Sequence, residues 1–289
     1  MKLVSFLHQE RRRIGRLFDD QVLDLSVACP GLPTDLRGLL AAGDDAMAQV
    51  RAAEPVAHAM IPLAAVRLLA PVPDPSKYLA IGMNYRDHIE ESARKGIKTP
   101  ETQIWFNKQV SCVCGPLDPV HKPAISDLLD YEIELCVVIG RTCRHVSEAD
   151  ALSVVAGYMV ANDFSVRDVQ WASPTWTLGK SFDTHGPVGP WLVTADEVPD
   201  PQALRMRLLV NGEVRQDAST ALMLYGVRQQ IAHLTRIMTL YPGDLIATGT
   251  PMGVAAGLQP PRYLAVGDVV RAEIEGLGHL ENRVIDEPR

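Results

Sequence analysis

Short alternating runs of apolar and polar residues recur along most of this chain, separated by Gly, Pro, Asn and Asp. A period of two is the signature of β-strands, so a strand-rich fold is expected. Lys2 to Phe6 alternates, Gly15 reads as a turn position, and Asp19-Asp20 reads as a hairpin turn before Val22 to Leu25. Between residues 35 and 60 the period changes. Leu36, Leu39, Leu40, Met47, Val50 and Ala53 recur at helical spacing, which predicts one or two helices. Leu68 to Pro75 is Pro-rich and reads as a link. The expected organisation is a small N-terminal α/β domain over 1–70 and a larger domain over 71–289.

The larger part opens with a buried-type strand, Lys77 to Gly82, and a short helix, Met83 to Ser92. Residues 92–103 are polar, contain Gly and Pro, and suit a lid or its hinge. Strands are expected at Ile104 to Phe106, Asp130 to Gly140, Gly157 to Asp163 and Trp191 to Val193, with a turn at Gly115-Pro116. Ser147-Glu148-Ala149-Asp150 resembles a capping box and predicts a helix. Ser165 to Trp171 reads as a helical turn, and Trp176 to Pro190 as an irregular Gly/Pro loop. Asn211-Gly212 between two apolar runs is a strong hairpin signal. Tyr225 to Tyr241 reads as a helix with Val227, Ile231, Leu234, Ile237 and Met238 inward, where His233 is structural. Val269 to Ile274 is the expected last strand, with Gly276 and Gly278 loosening the tail. Many short strands with few helices oppose a βαβ alternation and favour a mixed, β-dominated α+β class.

Composition narrows the function. The 289 residues are 47% hydrophobic and 22% charged, ordinary for a soluble globular protein. A net charge of −7 argues against a nucleic-acid binder. No apolar run approaches the ~20 residues that cross a bilayer, and no signal-peptide core is visible, so a cytoplasmic location without a membrane partner is expected. The five cysteines fit reduced thiols, and Cys112-Val113-Cys114 lacks a second pair at zinc spacing.

Candidate chemistry centres on Asp130-Tyr131-Glu132-Ile133-Glu134. On a strand, Glu132 and Glu134 point the same way, roughly 7 Å apart at Cα. Two carboxylates on one side of an apolar strand are costly unless something positive holds them, and a hard divalent cation suits oxygen ligands. The alternative is an outward, solvated face. His88 and Glu91 are three residues apart, so on a helix the carboxylate would orient the imidazole as a general base. The alternative there is a chance pair on an exposed helix. Asn162 and Asp163 close a strand, and Arg167 and Gln170 follow on the same side of a helical turn. Lys180, in a Gly-rich loop, suits an anionic ligand.

Taken together, these segments resemble the fumarylacetoacetate hydrolase family. The matching pieces are Ile81 to His88, Asp130 to Glu134, Asn162-Asp163 with Arg167 and Gln170, Gly179 to Asp183, and Pro242-Gly243-Asp244 through Thr248-Gly249-Thr250-Pro251. They run from Lys77 to about Ile285. The resemblance implies a mixed β-sandwich roll and, commonly, a homodimer. It implies that Glu132, Glu134 and Asp163 bind Mg²⁺ or Mn²⁺, with Ca²⁺ a substitute in a crystal. His88 and Glu91 would be a base dyad carried by the lid, with Lys180 a catalytic cation and Tyr85, Arg167, Gln170 and Thr250 around the substrate.

Gly186 to Val198, Asn211 to Glu213, Gln216-Asp217 and Pro260 to Leu264 look like bacterial members that hydrolyse acylpyruvates or 2,4-diketo-3-deoxy sugar acids. The implied activity is metal-dependent, catabolic hydrolysis of a C–C bond in a 2,4-diketo acid, giving pyruvate and a carboxylic acid. The alternative is an oxaloacetate-type decarboxylase or a 2-hydroxy-diene-dioate isomerase using the same metal enolate. The segment between Gln170 and Lys180 is short and apolar, with Trp171 and Trp176, which suits a sparsely hydroxylated acyl chain.

Overall fold

The structure is a computed structural model that describes residues 1–93, 96, 98 and 101–288, with the side chain of Ser92 outside the description. The chain opens with a meander of β1 (Lys2–His8), β2 (Arg11–Phe18) and β3 (Gln21–Asp24). Its first turn is at Gln9 and Glu10, both left-handed, and its second at Asp19-Asp20 as expected. Gly15 is not in a turn. It sits inside β2, where a Cβ would overlap Val22 and stand 2.8 Å from the Leu23 carbonyl, so the requirement is close strand approach.

Helices α1 (Leu25–Ala28), α2 (Leu36–Ala41) and α3 (Asp44–Ala52) follow, the first two capped by the side chains of Asp24 and Asp35. Then come β4 (Met60–Pro62) and β5 (Arg67–Leu69). Leu68-Leu69, expected in a link, are therefore strand. They pair antiparallel with Phe6 and Ser5 of β1.

Next are β6 (Tyr78–Gly82), α4 (Arg86–Ala93), β7 (Ile104–Lys108), β8 (Val113–Cys114) and β9 (Val120–Lys122). β10 (Leu129–Asp130), β11 (Ile133–Ile139), β12 (Val155–Asn162), β13 (Ser165–Val166) and α5 (Arg167–Trp171) lead into β14 (Gly186–Thr194). The C-terminal part has β15 (Arg205–Val210), β16 (Glu213–Ser219), α6 (Val227–Ile237), β17 (Leu245–Ala247), β18 (Val269–Ile274) and β19 (Gly278–Asp286).

Among the described residues, twelve strands join one mixed sheet along the order β4-β3-β2-β1-β14-β12-β11-β17-β6-β7, with β5 on β1 and β8 on β14. A second sheet runs β16-β15-β18-β19-β9. β11 lies deep in the first sheet and, apart from Glu134, is apolar on both faces. Ile133, Leu135, Val137 and Ile139 join a core cluster with α6 and residues of β15, β18 and β19. Cys136 and Val138 join a second cluster with Leu36, Leu39 and Val50 of the N-terminal helices. A domain boundary near residue 70 is a proposal resting on the family pattern, for strands from both sides of it share this sheet.

Four further expectations change. The Ser147–Asp150 cap forms, with Asp150 N–H donating to Ser147 Oγ at 3.2 Å, but only a 3₁₀ turn over Ala151–Val154 follows, because the β-branched Val154-Val155 enters β12. Gly186 to Pro190 is not loop. It is the start of β14, held by Val113 and Cys114 on one side and β12 on the other. The α6 helix stops at Ile237, which is 58% exposed, and Met238 is extended. Beyond, Leu240 exchanges backbone hydrogen bonds with Cys143 and draws the chain out of the helix. Finally, Gly276 and Gly278 make the hairpin into β19, the true last strand. The expected lid, 92–103, includes residues 94, 95, 97, 99 and 100, which lie outside the described residues.

Candidate metal and active site

Pairing of Ile133 with Asn162 sets the ends of β11 and β12 side by side. Glu134 lies in β11, Glu132 just before it and Asp163 just after β12. The strand expected from Asp130 breaks at Tyr131-Glu132, because side chains replace the ladder there. Glu132 N–H donates to Asn162 Oδ1 at 2.8 Å and Ile133 N–H to Gln216 Oε1 at 3.0 Å, while Asp163 N–H donates to the Glu132 carbonyl at 2.8 Å. All three acids are buried, and one carboxylate oxygen of each lies within 4.8 Å of the others.

Such a cluster would be costly without positive charge. Three buried cations supply it. Lys180 Nζ lies 2.6 Å from Glu132 Oε2 and 2.7 Å from Asp163 Oδ2. Arg167 pairs with Glu132 Oε1 at 2.7 Å through Nη2 and with Asp130 Oδ2 at 2.7 Å through Nε, and donates to Gln170 Oε1 at 2.9 Å. Lys108 Nζ lies 2.5 Å from Asp163 Oδ1 and also donates to the Lys180 carbonyl. Burial alone would raise the Glu132 carboxyl, but Lys180 and Arg167 outweigh it and hold Glu132 down at about 2. Glu134 behaves oppositely. Burial, then the charges of Asp163 and Glu132, push its carboxyl well above the usual range, and Gly249 N–H donates to it at 2.7 Å.

The second group is on α4. His88 Nδ1 lies 2.9 Å from Glu91 Oε2, and Glu91 Oε1 accepts from Gly253 N–H at 3.2 Å. With Nδ1–H donated to Glu91, Nε2 of a neutral imidazole is left as the acceptor, as a general base requires. Asn84 anchors the start of this helix, donating to the carbonyls of Tyr225 and Thr248 at 3.0 and 2.8 Å and accepting from Tyr225 N–H.

A cavity of about 310 Å³ brings these groups together. Its lining includes His88, Glu91, Glu132, Glu134, Arg167, Gln170, Lys180 and Thr250. Asp163 lies fully buried behind Lys180. Tyr85 is placed elsewhere. It is fully buried in the main apolar cluster, with its hydroxyl 3.2 Å from Met206 Sδ, and does not line the cavity.

Lys108 and Phe106 escape the sequence reading, and Asp130, though quoted in the Asp130–Glu134 stretch, receives no role there. Ile104, Phe106 and Lys108 occupy alternate positions of β7, so the alternation that buries Phe106 also buries Lys108, a signal present in the sequence. Asp130 accepts from Ala255 and Ala256 N–H at 2.7 and 3.0 Å, tying the 254–257 loop to Arg167. No local pattern marks that contact, which spans more than a hundred residues.

The donor set fits a hard divalent cation: three buried carboxylates in reach of one another, one of them with raised proton affinity. Residues 77–285 match the family described as fumarylacetoacetate (FAA) hydrolase C-terminal. The chain belongs to the fumarylacetoacetate hydrolase family. It is 39% identical over 290 residues to the mitochondrial oxaloacetate tautomerase Fahd2a of Rattus norvegicus, covering 99% of this chain and 92% of that protein. It resembles the structure of fumarylacetoacetate hydrolase from Exiguobacterium antarcticum, with a TM-score of 0.87, 37% identity, and 99% and 100% of the two chains covered. It also resembles maleylpyruvate hydrolase from Sphingobium sp. SYK-6 in complex with manganese(II) ion and pyruvate, with a TM-score of 0.81, 34% identity, and both chains covered in full. The acidic triad and the manganese of that neighbour together support divalent metal binding. Among the described residues, no helix is long and apolar enough to cross a membrane.

Proposed function

We propose that this chain is a hydrolase that cleaves the C3–C4 bond of a 2,4-diketo acid of the acylpyruvate type, giving pyruvate and a carboxylic acid. The observation that carries the reading is a single cavity lined by both the His88–Glu91 pair and two of the three clustered acids, Glu132 and Glu134. Glu132, Glu134 and Asp163 would hold Mg²⁺ or Mn²⁺. When bound, the cation supplies Lewis acidity, polarising substrate oxygens and stabilising developing negative charge.

Water adds to the C4 carbonyl, the C3–C4 bond breaks, and C3 gains a proton, so one water is consumed. His88 takes the proton of the water at Nε2, and Glu91 holds the ring and stabilises its charged form. The proton then goes to C3. Arg167, Gln170 and Thr250 grip the carboxylate end, and Lys180 stabilises negative charge on the reacting oxygens. The similarity to a maleylpyruvate hydrolase bound to pyruvate supports the product assignment. We also propose a homodimer in a catabolic, cytoplasmic role.

A second reading is keto–enol tautomerisation of a short 2-keto diacid. Similarity to the rat tautomerase over 99% of this chain favours it, and the dyad would then shuttle a proton between C3 and oxygen without consuming water. Assay of the purified protein with Mn²⁺ against acetylpyruvate and oxaloacetate separates the two. Stoichiometric pyruvate and acetate from acetylpyruvate support the hydrolase. Accelerated decay of the oxaloacetate enol without acetylpyruvate cleavage supports the tautomerase.

A further inference from the structure

One wall of the cavity is apolar and aromatic. Ile81, Met83, Ile104, Phe106, Trp171 and Trp176 line it. Two of the aromatic rings are linked to the reacting groups through Lys180. Lys180 Nζ is 5.2 Å from the Phe106 centroid, and that ring meets Trp176 edge-on at 5.7 Å. Trp171 continues the lining and is 60% exposed.

Three features fix Trp176 in place. Its backbone is left-handed at φ 61°, an uncommon and strained conformation for a bulky residue. It lies over Gly82, where a Cβ would overlap Cζ3 and stand 3.0 Å from Cη2. Its ring is held against Phe106. The adjoining Met83 is also left-handed, at φ 55°. Backbone strain at two lining residues, with a glycine cut away beneath one of them, marks a wall shaped for a ligand.

On the diketo-acid reading Arg167, Gln170, Thr250 and Lys180 serve the carboxylate end and the reacting oxygens, while Ile81, Met83, Ile104 and Phe106 offer an acyl tail no polar side-chain group. A hydroxylated tail lying along the aromatic wall would lose water without gaining partners. A flat ring would instead meet aromatic edges and faces in the geometries they favour.

We propose that Trp176 is a specificity-determining residue, and that the wall it forms with Phe106 selects diketo acids whose acyl group is an aromatic or similarly flat apolar unit. This rests on the diketo-acid reading above. The test is kcat/KM of the Mn²⁺-loaded enzyme for benzoylpyruvate, acetylpyruvate, fumarylpyruvate and a 2,4-diketo-3-deoxy sugar acid. Fumarylpyruvate is the control for Lys98, a lining cation that a carboxylated tail would meet.

The wild-type enzyme is expected to favour benzoylpyruvate over each of the others by about tenfold or more. Trp176→Ala should bring the benzoyl-to-acetyl ratio towards unity, chiefly through KM, and Trp176→Phe should keep most of it. Equal use of the substrates, a preference for the carboxylated or hydroxylated tail, or a preference unchanged in Trp176→Ala would overturn the inference. Failure to cleave any diketo acid overturns the hydrolase reading instead. The wall is then decided by fluorescence titration with Mn²⁺ present, in which phenylpyruvate should bind at least about tenfold tighter than pyruvate. Equal affinities would sink it.

Discussion

Lys108 Nζ lies 2.5 Å from Asp163 Oδ1, with both side chains fully buried beneath the cavity floor. The pair sits behind Lys180, whose backbone carbonyl also accepts from Lys108. Burial alone would lower the Lys108 ammonium, but Asp163 more than compensates and raises it. Lys108→Met leaves that carboxylate one cation short in a dry site and should destabilise the fold by about 3 kcal/mol or more. Asp163→Asn should also destabilise it, and the double variant should lose much less than the sum. Urea unfolding of the four proteins gives the coupling. Additive losses would show that the pair is not an energetic unit.

Glu91 is held where only a glycine fits opposite it. A Cβ at Gly257 would overlap Glu91 Oε1 and stand 2.8 Å from Oε2. Gly257 lies in a 3₁₀ turn with ordinary backbone geometry, so Gly257→Ala strains the neighbour and not the chain. It should lower kcat by about a hundredfold or more, approaching the loss in Glu91→Ala. Circular dichroism and urea midpoints should stay close to wild type. A Gly257→Ala enzyme of normal turnover would remove Glu91 from the mechanism.

Much of this site is legible in the chain because it sits at strand ends. Glu132, Glu134 and Asp163 are local to two apolar runs, and the His88–Glu91 spacing is local to one helix, so period and spacing suffice to nominate them. The family resemblance then ordered them into one site. What stays hidden depends on residues far apart in sequence. Lys108 meets Asp163 across 55 residues, and Asp130 meets Ala255 across 125. Tyr85 illustrates the opposite error. Its neighbours in sequence reach the cavity, but the ring turns into the apolar cluster towards Met206. Gly186 to Pro190 looked irregular because Gly and Pro are poor strand formers, yet two flanking strands hold that stretch as β14.

Metal should stabilise the fold as well as activate it. Mn²⁺ at about a hundred times its Kd should add roughly 2.7 kcal/mol to unfolding free energy. Glu134→Gln should abolish most of that increment while leaving the metal-free protein as stable as wild type or more so, since its carboxylate faces two other acids at close range. Thermal melts with and without Mn²⁺ or EDTA give both quantities. An equal Mn²⁺ increment in Glu134→Gln would exclude it as a ligand.

His185 should make the protein acid-sensitive. Its ring is fully buried between Phe164 and Phe182, with Nε2 2.8 Å from the His121 carbonyl. Burial lowers its pKa from 6.5 to about 3. Between those values the unfolded chain binds a proton that the folded chain does not, so stability falls as pH drops below about 6.5, by about 1.4 kcal/mol per pH unit. Above pH 7 the effect is absent. His185→Phe should flatten the fall in urea-measured stability between pH 6 and pH 5 by about that amount. An unchanged slope would mean that the ring is protonated in the folded state.

In the proposed hydrolysis, one cavity joins the His88–Glu91 base to a diketo acid that a divalent cation would hold. The most direct test follows pyruvate and acetate released from acetylpyruvate by the Mn²⁺-loaded enzyme, beside EDTA-treated enzyme and His88→Ala. One pyruvate and one acetate are expected per substrate consumed, with release abolished by EDTA and reduced by about a hundredfold or more in His88→Ala. Cleavage that persists without metal, or at wild-type rate in His88→Ala, would contradict this mechanism.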